Sequence, residues 1–309
     1  MTLTDGCATS AGGALAPAAD VVVDRAREIQ LVEAALASGA HVVLEGPPGT
    51  GKSTLLRDLA VRRASSFVLV EGNAELTPAR IVGQFDPAQV LQRGYDPAIF
   101  VDGPLLTAMR EGGLFYVEEI NRVPEETLNT LITVMSEREI AVPRLGTIAA
   151  APGFALVAAM NPFDAVGTAR ISSAVHDRMC RVAMDYQSAE AEQTIVARRA
   201  PRVSDEWRSR AVELVRATRS HPDLRVGSSV RGAIDLVGVA HHLAAARGAP
   251  TADWHVGLDA ARVALSGRVQ VHRSAGRTAE DVIEEIYTAV FGPAPDTPEP
   301  SEAGGPGER

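Results

Sequence analysis

Residues Gly46 to Ser53 read Gly-Pro-Pro-Gly-Thr-Gly-Lys-Ser. The pattern G-x-x-x-x-G-K-[ST] lets loop N–H groups and a helix N-terminus surround phosphate oxygens, with the Lys ammonium reaching between them. Lys52 is the only lysine among the 30 basic residues, the other 29 being arginine, so a compact ammonium is kept where a planar fork would not serve. The candidate nucleotide contacts are Gly46, Pro47, Pro48, Gly49, Thr50, Gly51, Lys52, Ser53 and Thr54. The plain alternative is a glycine-rich turn closing a buried strand. A second candidate pair is Glu118-Glu119, which follows four apolar residues, Leu114 to Val117. Acids at the carboxyl end of a strand can support a metal's water shell and polarise an attacking water. Ser53 and Glu118 are therefore the expected Mg²⁺ contacts and Glu119 the residue expected to polarise the attacking water; two exposed acids ending a strand are the alternative. His241-His242 cannot both face one metal from a single helix, and Gly-x-Ser-x-Gly is absent, which removes the usual serine-hydrolase signature.

The elements that must carry these residues follow from hydrophobic spacing. Asp24 to Ser38 has Ile29, Val32, Ala35 and Leu36 at helical spacing and stops at Gly39. His41 to Glu45 is a short apolar strand, and Ser53 to Arg63 is a helix with Leu55, Leu56 and Leu59 on one face. Strand, glycine loop and helix thus occur in the order a phosphate site needs, which disfavours the plain turn. Strands are also expected at Phe67 to Glu71, Leu114 to Val117, Phe154 to Ala159 and Val182 to Met184, with helices at Leu105 to Glu111 and from Pro124. Thr77-Pro78, Asp86-Pro87 and Asp96-Pro97 punctuate a weakly periodic segment that reads as an inserted loop, and Arg138 to Ala151 reads as a hairpin. Strands alternating with helices predict an α/β fold with a mostly parallel five-stranded sheet. From Ser188 onward only helical runs are expected, at Ser204 to Arg219, Ser228 to Arg247, Asp253 to Ser266 and Thr278 to Phe291. The expected organisation is a flexible arm at 1–20, an α/β domain at 21–187, a small helical lid at 188–291 and a disordered tail at 292–309.

The totals narrow the function classes. A formal net charge of −9 supplies no general attraction to nucleic acid or an anionic membrane surface. The hydrophobic share of 46% is ordinary for a globular chain, and no apolar run approaches the roughly 18 to 20 residues of a membrane span. Cys7 and Cys180 lie far apart, which argues against a disulfide framework. Met1 to Asp20 has no basic start followed by an apolar block. A cytoplasmic protein is expected.

Taken together, the phosphate loop, the Glu-Glu-Ile-Asn-Arg run at Glu118 to Arg122, the strand ending at Asn161-Pro162, and Gly167-Thr168 followed by Asp177-Arg178 resemble the AAA+ ATPases of the MoxR group. The resemblance covers roughly residues 21 to 290 and includes Leu76 to Pro78 and Asp102 to Pro104. It implies a P-loop AAA+ core with a small all-α lid, ATP and Mg²⁺ as ligands, and further roles for single residues. Asn161 matches the polar sensor on the fourth strand, Arg178 the arginine finger donated to a neighbouring subunit, and Arg231 the second sensor at the start of a lid helix. Val22 and Val23 would help to form the adenine pocket. The sequence departs from the family at Glu118, where Asp is usual, and around the finger at Arg170, Ser173, His176 and Met179. Glu118 is one methylene longer than Asp and motivates an alternative, a nucleotide-gated scaffold with little turnover. Arg170 is a candidate second contact in trans, and a solvated arginine is the simpler account. The resemblance further implies a homo-oligomeric ring, expected to be a hexamer, that remodels a protein client, often with a von Willebrand factor A domain partner. A DNA-associated motor is disfavoured by the charge.

Overall fold

The computed structural model describes residues 22–162 and 173–295. Gly167, Thr168 and Arg170 lie outside them, as do most of the expected arm and tail. The chain divides into two compact units, Met1–Pro47 with Gly51–Met184, and Pro48–Thr50 with Asp185–Arg309.

The first unit is built on five parallel strands, β1 (His41–Glu45), β2 (Phe67–Glu71), β3 (Leu114–Glu118), β4 (Ala155–Met160) and β5 (Met179–Ala183), in the spatial order β2-β3-β4-β1-β5. Strands β1, β3 and β4 are buried on both faces except at their last residue, so they read as continuous apolar runs. Their alternate residues feed two cores. Val42 and Leu44 join Tyr116 and Val157 against helices Ala26–Ala37 and Lys52–Arg62. Val43 joins Phe115, Val117 and Leu156 against helices Pro104–Glu111 and Glu125–Glu137. Because all five strands run the same way, Glu45, Glu118 and Met160 end at one edge of the sheet.

In the first unit two expectations change. The segment read as an inserted loop is folded into helices Pro78–Val82 and Pro87–Arg93, a 3₁₀ turn at Pro97–Ile99, and a two-stranded antiparallel ladder of Gly83–Phe85 with Phe100–Asp102. Thr77, Asp86 and Asp96 each cap the turn that follows. A capping residue followed by Pro at the first helical position starts a helix as readily as it marks a loop, and elements of three to seven residues are too short to show a period. The fifth strand begins at Met179, earlier than its apolar end suggested. The hairpin stands, as Glu139–Val142 paired with Gly146–Ala149.

The second unit packs helices Ala189–Arg199, Asp205–Ala217, Val230–Arg247, Trp254–Leu265 and Ala279–Phe291 around one apolar core. Gly232 permits the third and fourth of these to approach, since a Cβ there would lie 2.8 Å from a Leu265 methyl. Glu192 is buried and bridges Arg216 at 3.1 Å and Arg219 at 2.7 Å, tying the first helix to the second and to the turn beyond it. A short ladder of Leu224–Val226 with Gln270–Val271 lies among the helices where no strand was expected; strands of three and two residues leave no alternation to read.

Candidate functional site

The phosphate loop leaves β1 at Gly46, where the backbone crosses the end of β5. A Cβ on Gly46 would fall 1.9 Å from the Met184 carbonyl oxygen, so glycine is required by close approach. Gly49 and Gly51 adopt positive φ values of 77° and 86°, the left-handed region that turns the loop into the helix. Helix Lys52–Arg62 begins with no side chain capping it, which leaves its first N–H groups directed at the loop. The Lys52 side chain is 9% exposed, and its Nζ donates to the carbonyls of Gly46 and Pro47, each at 2.8 Å. The ammonium thus lies across the loop, desolvated and held by neutral acceptors.

Ser53 Oγ donates to Glu118 Oε1 at 2.9 Å. A serine has one hydroxyl proton, so Tyr116, whose OH lies 3.3 Å from Ser53 Oγ, must be the donor in that second contact. Burial, with the Glu118 and Glu119 charges adding to it, pushes the Tyr116 phenol well above its ordinary value, which keeps it a neutral donor. Tyr116, Ser53 and Glu118 form one relay of hydrogen bonds. Sequence reasoning missed Tyr116; its signal was its position two residues before Glu118 on the same strand, hence on the same face.

Glu119 leaves the strand in the left-handed region, φ 54° and ψ 49°, a conformation costing a non-glycine residue roughly 1 kcal/mol or more. Its carboxylate pairs with Arg122 Nε at 2.8 Å, another contact that no motif announced. Gly72 makes room for the turn: its N–H donates to the Glu118 carbonyl at 2.7 Å, and a Cβ would lie 2.3 Å from the Glu119 carbonyl oxygen. Asn161 directly follows β4, whose last carbonyl, Met160, accepts from Gly46 N–H at 3.2 Å. The structure therefore gathers Lys52, Ser53, Glu118, Glu119 and Asn161 at the carboxyl edge of the sheet.

The remaining expected residues are divided between the loop and the far edge of the sheet. Arg178 precedes β5, at the opposite, amino edge, where its Nε donates to Ser136 Oγ at 2.5 Å and its Nη1 to the Ala174 carbonyl at 2.9 Å. The register His41↔Met179 to Glu45↔Ala183 puts the length of a five-residue strand, ~13 Å along the backbone, between it and the phosphate loop. Val22 packs against the core beside helix Ala26–Ala37, and Val23 is half-buried. Thr54 and Pro48 are exposed, while Thr50 is fully buried. Arg231 is exposed in the first turn of helix Val230–Arg247, beside the loop glycine Gly49: a Cβ there would lie 2.3 Å from Ser229 Oγ and 3.9 Å from Arg231 Cδ. His176 is exposed at the end of a four-residue helix.

The Ser53 hydroxyl and Glu118 carboxylate are hard oxygen donors one hydrogen bond apart, a set that suits a Mg²⁺ ion completed by water and phosphate. Among the described residues no group of three or more His, Cys, Asp or Glu is placed to hold a metal by itself, so the set fits an ion that arrives with a phosphate.

Residues 41–179 match the family model of the AAA domain, dynein-related subfamily, which is less than half of the 309-residue chain. Among curated proteins, an uncharacterized protein of Staphylococcus epidermidis is 32% identical over 158 residues, covering 50% of this chain and 59% of its own. One from Staphylococcus haemolyticus is 34% identical over 148 residues, covering 47% and 56%. The chain thus spans a little over half the length of these relatives. Among solved structures, a putative ATPase from Cytophaga hutchinsonii superposes with a TM-score of 0.50 at 22% identity, covering 87% of this chain and 91% of that one. The Holliday junction branch migration motor RuvB of Thermotoga maritima superposes with a TM-score of 0.51 at 19% identity, covering 77% and 67%. At these identities the likeness is one of fold. Residues 41–179 are thus similar to an AAA domain, and the α/β P-loop core with its helical unit has the fold of the ATPase structures it superposes on. Among the described residues no helix is long and apolar enough to cross a membrane.

Proposed function

We propose that this chain is an ATPase of the MoxR type that hydrolyses ATP with Mg²⁺ in a ring of identical subunits and uses the cycle to remodel or mature a protein client in the cytoplasm. The observation that carries the hydrolytic reading is the Ser53–Glu118 hydrogen bond of 2.9 Å beside the loop, with Glu119 one residue on. Loop N–H groups and Lys52 bind phosphate oxygens, the ammonium exchanging the carbonyls of Gly46 and Pro47 for charged acceptors, a stronger class of hydrogen bond. Ser53 and Glu118 would hold Mg²⁺, which when bound offsets phosphate charge. Glu119 accepts a proton from the attacking water, Asn161 orients that water or the terminal phosphate, and Arg231 contacts the same phosphate from the lid. Val22 and Val23 would form part of the adenine pocket.

The position of Arg178 supports the ring. At the amino edge of its own sheet it cannot reach its own chain's phosphate loop, so a finger role requires a second copy. Support for a client comes from the insert and hairpin. Leu91, Tyr95 and Val101 are 90%, 49% and 58% exposed there, and the Arg144 guanidinium of the hairpin lies 3.5 Å from the centre of the Tyr95 ring. A von Willebrand factor A domain protein is the partner class the MoxR resemblance suggests.

The test is steady-state hydrolysis with Mg²⁺. Glu119→Gln should lower kcat at least 100-fold while nucleotide still binds; equal turnover in the two proteins would remove Glu119 from its role. Absence of turnover in the native protein, with nucleotide bound, would favour the scaffold reading that Glu118 motivates. The RuvB likeness raises a DNA motor as a third reading, which the net charge of −9 opposes; stimulation by DNA at moderate salt would favour it.

A further inference from the structure

We propose that Arg219 is a positioning residue that fixes the start of helix Val230–Arg247, and through it the place of Arg231 beside the phosphate loop. The inference rests on the reading of Arg231 as the lid contact to the terminal phosphate.

The start of that helix is not fixed by its own residues. Ser229 is the N-cap, a position where a serine hydroxyl ordinarily accepts from the first turn, yet its side chain caps nothing. The hydroxyl lies instead against Gly49, where a Cβ would be 2.3 Å from Ser229 Oγ. The residue before it is held from the end of helix Asp205–Ala217. Ser228 is buried; its N–H donates to Thr218 Oγ1 at 2.9 Å, and its carbonyl accepts from Arg219 Nε at 2.8 Å. Gly227 packs so closely there that a Cβ would lie 2.6 Å from Arg219 Cα. Arg231 follows Ser228 by three residues, so a shift of this turn carries Arg231 with it.

The guanidinium of Arg219 is itself held on two further sides. Its Nη2 donates to the buried Glu192 carboxylate at 2.7 Å, and its carbon lies 3.9 Å from the centre of the Tyr186 ring. One planar fork thus meets a carbonyl, a carboxylate and a ring face at once. A lysine ammonium keeps the charge beside Glu192 but cannot serve all three, because its donors do not lie in one rigid plane. Glu192 also retains Arg216 at 3.1 Å, so losing the fork does not leave a buried carboxylate without a cation.

The experiment measures kcat for ATP, with Mg²⁺, and the Kd of ADP in the full chain and its variants. Arg219→Lys should lower kcat about 10-fold, the scale of a small misplacement of a contact group. The Kd of ADP should stay within about twofold, because ADP lacks the phosphate that Arg231 contacts. Arg231→Ala should lower kcat at least as far, and Arg219→Lys/Arg231→Ala should fall no more than about twofold below Arg231→Ala alone. Thr218→Val releases the Ser228 N–H, leaves Arg219 in place and should give the same pattern; it is also the substitute if the lysine variant does not fold. A merely structural role would weaken ADP binding along with turnover, or make the two rate losses multiply. Either result overturns the positioning, as does an unchanged kcat in both Arg219→Lys and Thr218→Val, and each leaves the reading of Arg231 intact while Arg231→Ala stays impaired. Unchanged turnover in Arg231→Ala overturns both.

Discussion

Single residues in this site are set by what their neighbours leave available. Lys52 is buried and donates to two loop carbonyls, and Ser53 has one proton, which goes to Glu118. A residue remote from the chemistry supplies the clearest pH dependence. His41, at the start of β1, is 4% exposed and accepts from Leu156 N–H at Nδ1, 2.9 Å away. Burial, and then the Arg138 charge, hold its imidazolium form down, so its proton affinity is lowered in the folded state. The unfolded chain therefore takes up the proton first, near pH 6.5. The stability associated with neutral His41 is complete above that pH and is lost as pH falls below it toward the lowered folded value. Thermal melts should show a drop in Tm between pH 7.5 and 5.5 that is smaller in His41→Asn, which keeps an acceptor for Leu156 N–H; equal drops would remove His41 as a cause.

At the scale of elements, the parallel sheet delivers its strand ends to one edge, and short irregular elements do the rest. The insert and hairpin are joined by the contact of Arg144 with Tyr95, and Tyr95 and Phe100 in turn pack edge-on against Phe85. A cation over an aromatic ring contributes about 0.5 to 1 kcal/mol when exposed, enough to bias two small elements but not to hold the fold. Arg144→Ala should therefore change basal ATP turnover by less than about twofold and Tm by only a few degrees, while reducing client-stimulated turnover severalfold. Equal loss of basal and stimulated rates would place Arg144 in general folding. The insert also shows where sequence and structure part. Its three capped Pro starts were visible as punctuation, yet helices of five and seven residues have no period to recognise, and the ladder of Gly83–Phe85 with Phe100–Asp102 joins residues far apart in the chain.

For the whole molecule, the decisive geometry is that Arg178 and the phosphate loop occupy opposite edges of one sheet. If Arg178 acts, it acts on another copy. Arg178→Ala and Glu119→Gln proteins should each be silent alone, whereas a mixture should regain turnover, since a Glu119→Gln subunit can lend an intact finger to an Arg178→Ala neighbour. Activity in Arg178→Ala alone would remove the finger role. Sedimentation with a slowly hydrolysed ATP analogue should show an assembly, expected to be a hexamer; a monomer under all conditions would remove the action in trans.

The sequence alone determined the phosphate loop, the acidic strand end and the five strands, because each depends on spacing within a few residues, where glycine conformation, side-chain period and strand burial are local properties. Tertiary structure alone decided which of these residues meet. Tyr116 and Ser53 are 63 positions apart and touch only because β3 lies beside the loop. Gly72, at the end of β2, meets the Glu118–Glu119 turn at the end of β3, so closely that a Cβ would lie 2.3 Å from the Glu119 carbonyl oxygen. Contacts of this kind depend on strand order and on close approach between distant segments, and no local spacing encodes either.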